Sequence, residues 1–96
     1  MPTYVVLAKM TQQGIQAAKD IPQRRAAAKE TAKALGITWL DGYLTMGKYD
    51  VVLLLDAPDD ETMAKFALQI GSRGNLSTQT LRAFSEAESD RLTGSL

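Results

Sequence analysis

Ninety-six residues, 45% of them hydrophobic, with 11 basic against 11 acidic side chains and a formal net charge of zero, describe one globular domain and leave no room for two. The chain has neither cysteine nor histidine, which excludes disulfides, thiol nucleophiles, thiolate or imidazole metal sites and Ser-His-Asp hydrolysis, and its neutral balance exerts no long-range pull on nucleic acid. The strictly apolar run Val51–Leu55 is far below the roughly 18 residues of a membrane span, and Tyr4–Ala8 is too short for a signal peptide, so the expected address is the cytoplasm, with no cofactor and no metal.

Thr3–Met10 reads as a strand, because Tyr4-Val-Val-Leu7 is aromatic and β-branched in the way a half-buried sheet prefers. Thr11–Gly14 breaks it, and a short helical turn follows through Ile15–Ala18. Asp20-Ile21-Pro22 reads as a helix start, with Asp20 as cap and Pro22 in the first turn. The alanine-rich stretch that follows runs to Leu35 and stops at Gly36. Ile37–Met46 is a second strand, with Gly42 a candidate bulge, and Gly47-Lys48 supplies a two-residue turn into a third strand, Tyr49–Ala57. Pro58-Asp59-Asp60-Glu61 opens a second helix whose Met63, Phe66, Ala67 and Ile70 form an apolar stripe. Gly71 and Gly74 end it, and Leu76–Phe84 is a fourth strand. The domain is therefore expected over residues 1–84. A polar C-terminal tail, 85–96, is expected to fray or to dock on a neighbour.

Two β-α-β units joined by a hairpin predict an α+β, ferredoxin-like fold. Right-handed crossovers give an antiparallel four-stranded sheet of order 4-1-3-2 with both helices on one face. Antiparallel sheets with one wet face alternate polar and apolar residues. Strand three does not, since Val51, Val52, Leu53, Leu54 and Leu55 are all apolar. A domain this small buries only about 60–65% of its unfolded surface, and nothing in the chain is left to cover the second face. A second copy of the chain is the expected cover, as a homodimer or higher even oligomer.

The same topology gathers Thr11, Gly14, Arg24, Gly47, Lys48, Tyr49, Asp50, Arg73, Gly74 and Asn75 at one end of the domain. Helical spacing places Arg24 with Ala27, Ala28, Thr31 and Leu35 on the inner face of the first helix, where a guanidinium needs a partner. Asp50 is the expected partner. With a two-residue turn Asp50 pairs with Thr45 and shares the helix side with Tyr43, Val52 and Leu54. Tyr49, Val51, Leu53 and Leu55 then face the partner sheet. Two readings stand. Arg24–Asp50 is either a structural clamp, or Arg24 binds an anion in a pocket where Asp50 or Tyr43 moves a proton. The small side chains of Ala26–Ala28 fit both close packing and a cavity.

Gly47-Lys-Tyr49-Asp50 after a strand is similar to the motif that gives the GYD-domain family its name. Thr11-x-x-Gly14, Pro22-x-Arg24, Pro58-Asp59-Asp60, Gly74-Asn75 and Thr80-Leu-Arg-Ala-Phe84 extend the resemblance from about Tyr4 to Phe84. It implies a dimeric α/β barrel, small ferredoxin-like domains whose sheets pack face to face, and it carries over no catalytic residue. A fainter similarity is to the effector-binding domain of Lrp/AsnC regulators, which bind small effectors near subunit interfaces; no helix-turn-helix accompanies it here. The reading that follows is a small-ligand-binding, self-associating module with Arg24, Tyr43 and Asp50 at its site and a small metabolite as ligand. A cofactor-independent enzyme acting on a small anionic or phenolic metabolite is an alternative, and a purely structural oligomer or accessory subunit is another.

Overall fold

The computed structural model describes all 96 residues, Met1–Leu96. Thr3–Met10 forms β1, Gln12–Gln16 a short helix α1, and Ala18–Asp20 a 3-10 turn that feeds α2, Ile21–Ala34. Then come β2 (Thr38–Leu44), β3 (Val51–Asp56), α3 (Asp60–Ser72), β4 (Leu76–Ala83) and α4 (Glu86–Gly94). The strands make one antiparallel sheet in the order β2-β3-β1-β4, which is the ferredoxin-like arrangement.

Local chemistry sets most boundaries. Pro22 sits in the first turn of α2, where its missing N–H has no helical partner to lose. Asp20 makes no side-chain cap; its backbone, at φ −88° and ψ 2°, is already nearly helical, whereas a capping carboxylate reaches the first amides from an extended conformation. Asp59 has that extended conformation and caps α3, accepting from the Thr62 N–H at 2.8 Å. Gly36 closes α2 at φ 75°.

The β2–β3 hairpin keeps the expected register, with Tyr43 opposite Val52 and the Thr45 N–H bonded to the Asp50 carbonyl at 2.8 Å. There the ladder ends. The Thr45 hydroxyl donates to the Tyr49 carbonyl at 2.7 Å, so Met46–Tyr49 forms a wider loop in place of a two-residue turn. The register shift in β2 falls between Trp39 and Asp41, which puts the bulge at Leu40 and not at Gly42.

The helices cover the face that carries Tyr4 and Val6 of β1 with Leu53 and Leu55 of β3, and Met63, Phe66 and Ile70 of α3 complete the core. This corrects the expected partner-facing set at Val51, Leu53 and Leu55; Tyr49, whose hydroxyl donates to Gln79, lies toward the open face. Leu53 and Leu55 are 8% and 0% exposed beneath the helices, and Val51 packs against the same core. Val52 and Leu54 take the other face, in cross-strand rows Tyr43–Val52–Leu7–Gln79 and Asp41–Leu54–Val5–Leu81. The pairing register is the expected one, but β3 is apolar at every position from Val51 to Leu55 and so says nothing about which side is inside. β1 does say so. Lys9 shares its side with Val5 and Leu7 and must reach water, which leaves Tyr4, Val6 and Ala8 to the helices. The β1–β3 register then places Leu55 opposite Tyr4 and Leu53 opposite Val6.

The C-terminal tail is helical. Ser85 and Glu88 form a reciprocal capping box, with the Glu88 N–H donating to the Ser85 hydroxyl at 3.1 Å and the Ser85 N–H donating to the Glu88 carboxylate at 2.9 Å. None of the residues of α4 is buried. No helix of the chain is long and apolar enough to cross a membrane.

Candidate functional site

Where β1 finishes, three loops interlock. The Thr11 hydroxyl accepts from the Gly14 N–H at 3.1 Å and donates to the Gly74 carbonyl at 2.6 Å. The Thr11 N–H donates to the Asn75 carbonyl at 3.0 Å, and the Gln13 side-chain amide donates to the Asn75 side chain at 3.1 Å and to the Arg73 carbonyl at 3.2 Å. Gly14 is buried here, and a Cβ on it would overlap the Asn75 carbonyl oxygen. Asp50 belongs to the same end. Its N–H donates to the Ala8 carbonyl at 2.8 Å, and its carboxylate accepts from the Met10 N–H at 2.7 Å. It thereby satisfies the last backbone donor of β1.

Between this junction, α2 and the sheet lies a cavity of about 150 Å³, walled by Ala27, Ala28, Trp39, Leu53, Phe66 and Ile70 among other apolar groups. Alanines at 27 and 28 leave the space that larger side chains would fill. Arg24 enters it from α2. Its Nη2 donates to the carbonyls of Gly14 at 3.1 Å and Ala17 at 3.3 Å, at the C-terminal end of α1. Its Nη1 is buried and has no hydrogen-bond partner. Arg25 and Arg73 also reach the cavity, and no Asp or Glu does. The Arg73 guanidinium donates to the Thr31 hydroxyl at 2.5 Å.

Of the expected trio, Arg24 and Tyr43 border this cavity and Asp50 does not. The anticipated Arg24–Asp50 clamp is absent because each group is satisfied closer to hand, Arg24 by carbonyls of α1 and Asp50 by the end of β1. Tyr43 is half exposed, and its hydroxyl donates to the Asp41 carboxylate at 2.5 Å. That bond and the negative charge of Asp41 raise the phenol above its usual pKa. Neither candidate proton carrier therefore presents a free basic group to the cavity. Trp39, Phe66 and Ile70 as cavity walls were not foreseen. The signal for them was present in the alanines of α2, since a helix face lacking bulk leaves its opposite wall uncovered. No group of three or more Asp and Glu residues is placed to hold a metal ion.

The family model for the GYD domain matches residues 4–93, past Phe84 and into α4. A Thermus thermophilus protein named glutamine synthetase and cystathionine beta-lyase binding protein is 33% identical over 89 residues, covering 92% of this chain and 94% of its own length. Among solved structures, TTHA0845 from Thermus thermophilus is 28% identical with a TM-score of 0.59, over 88% of this chain and 95% of that one. PHS023, a hypothetical protein from Pyrococcus horikoshii, is 16% identical with a TM-score of 0.56, over 90% and 93% of the two chains. MtbAldR is 14% identical with a TM-score of 0.70; the match covers 88% of this chain and 52% of that one, so this chain spans about half of MtbAldR. At such identities the last two show a shared fold alone.

Proposed function

This chain belongs to the GYD domain family, and from that premise we propose that it works as a self-associating binding module of the cytoplasm that takes a small ligand into the cavity beside Arg24. The observation that carries this reading is the cavity itself. It is concave and apolar, with one anchored guanidinium inside it, which is the composition of sites that hold small molecules. A binding role is favoured over catalysis because Asp50 and Tyr43 are committed to Met10 and Asp41. Self-association is supported by the uncovered sheet face. Val5, Leu7, Val52, Leu54 and Leu81 form its apolar centre, and Lys9, Asp41, Tyr43 and the Tyr49–Gln79 hydrogen bond form a polar border, the layout of a subunit interface.

Native mass spectrometry of gently purified protein tests both halves. A dimer or higher even oligomer carrying a small additional mass is the expected result. A monomer would overturn the self-association. Protein that stays empty both as isolated and after incubation with cell extract would remove the ligand.

A second reading has a specific observation behind it, namely that a relative 33% identical over nearly the full length of both chains is named as a binding protein for two enzymes. On that reading this chain attaches to a larger metabolic enzyme. Size-exclusion chromatography with glutamine synthetase and with cystathionine beta-lyase from the same organism should then show co-elution with one of them, and separate elution from both would discard it.

A further inference from the structure

We infer that the cavity beside Arg24 is built for a small monocarboxylate with a compact apolar body, its carboxylate on Arg24 Nη1 and its body between Ala28, Trp39 and Phe66. The inference rests on the binding-module reading above and adds the chemical class of the ligand.

Size comes first. A largely apolar cavity near 150 Å³ has room for a molecule of about the volume of benzene, so the body is one ring or a branched chain of similar bulk. Charge comes second. Every charged side chain that borders the cavity is an arginine; Tyr43 borders it from β2, but its phenol is on the open face of the sheet with Asp41. The nearby carboxylates of Asp41 and Asp50 are directed to Tyr43 and Met10, so nothing in the protein neutralises that end. An anion is the complement, and a cationic or zwitterionic ligand would bring an ammonium among guanidinium groups.

Geometry comes third. Two carbonyls fix Arg24 through Nη2, so the plane of the guanidinium is set before any ligand arrives. Nη1 is then left buried without an acceptor. Burying a charged donor without a partner is unfavourable, and a carboxylate oxygen at hydrogen-bond distance relieves this with a charge-assisted bond. Asn75, half-buried at the same end, also borders the cavity. A bulky polyanion fits poorly, because most of the wall can neither donate nor accept.

Trp39 is the only tryptophan and lines the cavity, so its fluorescence reports occupancy directly. The test titrates the whole protein with phenylacetate, benzoate and 4-methylpentanoate, each against its uncharged primary amide, and with inorganic phosphate. At least one acid should perturb Trp39 and bind about 10- to 100-fold more tightly than its amide, the range expected for a hydrogen bond to a charged partner. Phosphate should bind far more weakly than that acid. Arg24→Gln should bring the acid down to the level of the amide, and Ala28→Leu, which fills the space and leaves the charge, should weaken acid and amide together. Arg24 also braces α1, so if Arg24→Gln fails to fold, the acid–amide comparison on the unaltered protein decides alone. Acids and amides binding equally would overturn the carboxylate while leaving the cavity as a binding site. Phosphate binding as well as the acids would overturn the apolar body. No response from any acid would overturn the inference, and the native mass spectrum described above then decides separately whether the cavity holds a ligand of another class.

Discussion

Gly14 is a residue whose side chain of one hydrogen is dictated by its surroundings. A methyl group there would meet the backbone carbonyl of Asn75, which cannot rotate away as a flexible side chain could. Gly14→Ala should therefore destabilise the fold by about 1–3 kcal/mol, the usual cost of overpacking, and urea unfolding would measure it. Gly71 is the control. It lies in α3 with nothing near the position of a Cβ, so Gly71→Ala should raise stability by roughly 0.5–1 kcal/mol through helix propensity. Tyr4 makes a different prediction. The hydrogen bond from its hydroxyl to Asp60, then burial, then the charge of Asp60 raise its pKa above the usual 10.0. The phenol is thus favoured in its neutral form by folding. The stability this confers is intact below about pH 10, the unfolded pKa of tyrosine, and is lost as pH rises through the higher folded value. Tyr4→Phe should flatten the alkaline fall in stability, followed by denaturation at fixed urea; Tyr43, raised in the same direction by Asp41, accounts for a remainder. Arg24 was legible in the sequence because a guanidinium among Ala27, Ala28 and Leu35 has to be satisfied somewhere. Its partners were not legible. They are main-chain carbonyls of Gly14 and Ala17, and a side-chain pattern contains no signal for a carbonyl that a short helix happens to aim inward.

Helix ends supply predictions at the level of the element. Asp59 caps α3 through the Thr62 amide, which holds its carboxyl below the usual range. Asp59→Ala should destabilise the fold through the lost N-cap, read as a lower urea midpoint, and the contribution of the native residue should fade as pH falls through that lowered pKa. α4 behaves differently because it buries none of its residues. A helix this short is marginal in isolation, and its capping box is a principal support. Ser85→Ala should raise amide exchange throughout α4 while leaving the protection of the sheet unchanged, which hydrogen-exchange mass spectrometry can resolve. The four strands and the two long helices were readable from glycine, proline and apolar spacing, down to the left-handed end of α2 at Gly36, whereas α4 was not, because a polar stretch carries no apolar stripe to announce a helix. The inside face of β3 was not, because Val51–Leu55 is apolar on both sides. Lys9, two residues beyond Leu7 on the same side of β1, was the residue that could have fixed it.

For the whole molecule, the sheet separates folding from assembly by parity. Leu53 lies in the core and Leu54, its neighbour, on the open face. Leu53→Glu would bury a carboxylate among Val6, Phe66 and Ile70 and should unfold the protein. Under the proposed self-association, Leu54→Glu should leave a folded monomer, since its charge would enter the centre of the proposed interface. Circular dichroism together with sedimentation equilibrium distinguishes the two results, and a folded dimeric Leu54→Glu protein would show that the second copy does not sit on this face.

The strand order also constrains how the chain is made. β1 lies inside the sheet with β3 on one flank and β4 on the other, and Thr3 pairs with both Asp56 and Ala83. At about 5–20 residues per second, a ribosome needs roughly 4–16 s to synthesise the 80 residues that separate Thr3 from Ala83. Throughout that interval a strand apolar on both sides is without one of its neighbours. β1 therefore gains its second neighbour only when β4 is made, and until then its free edge is open to pairing with other chains.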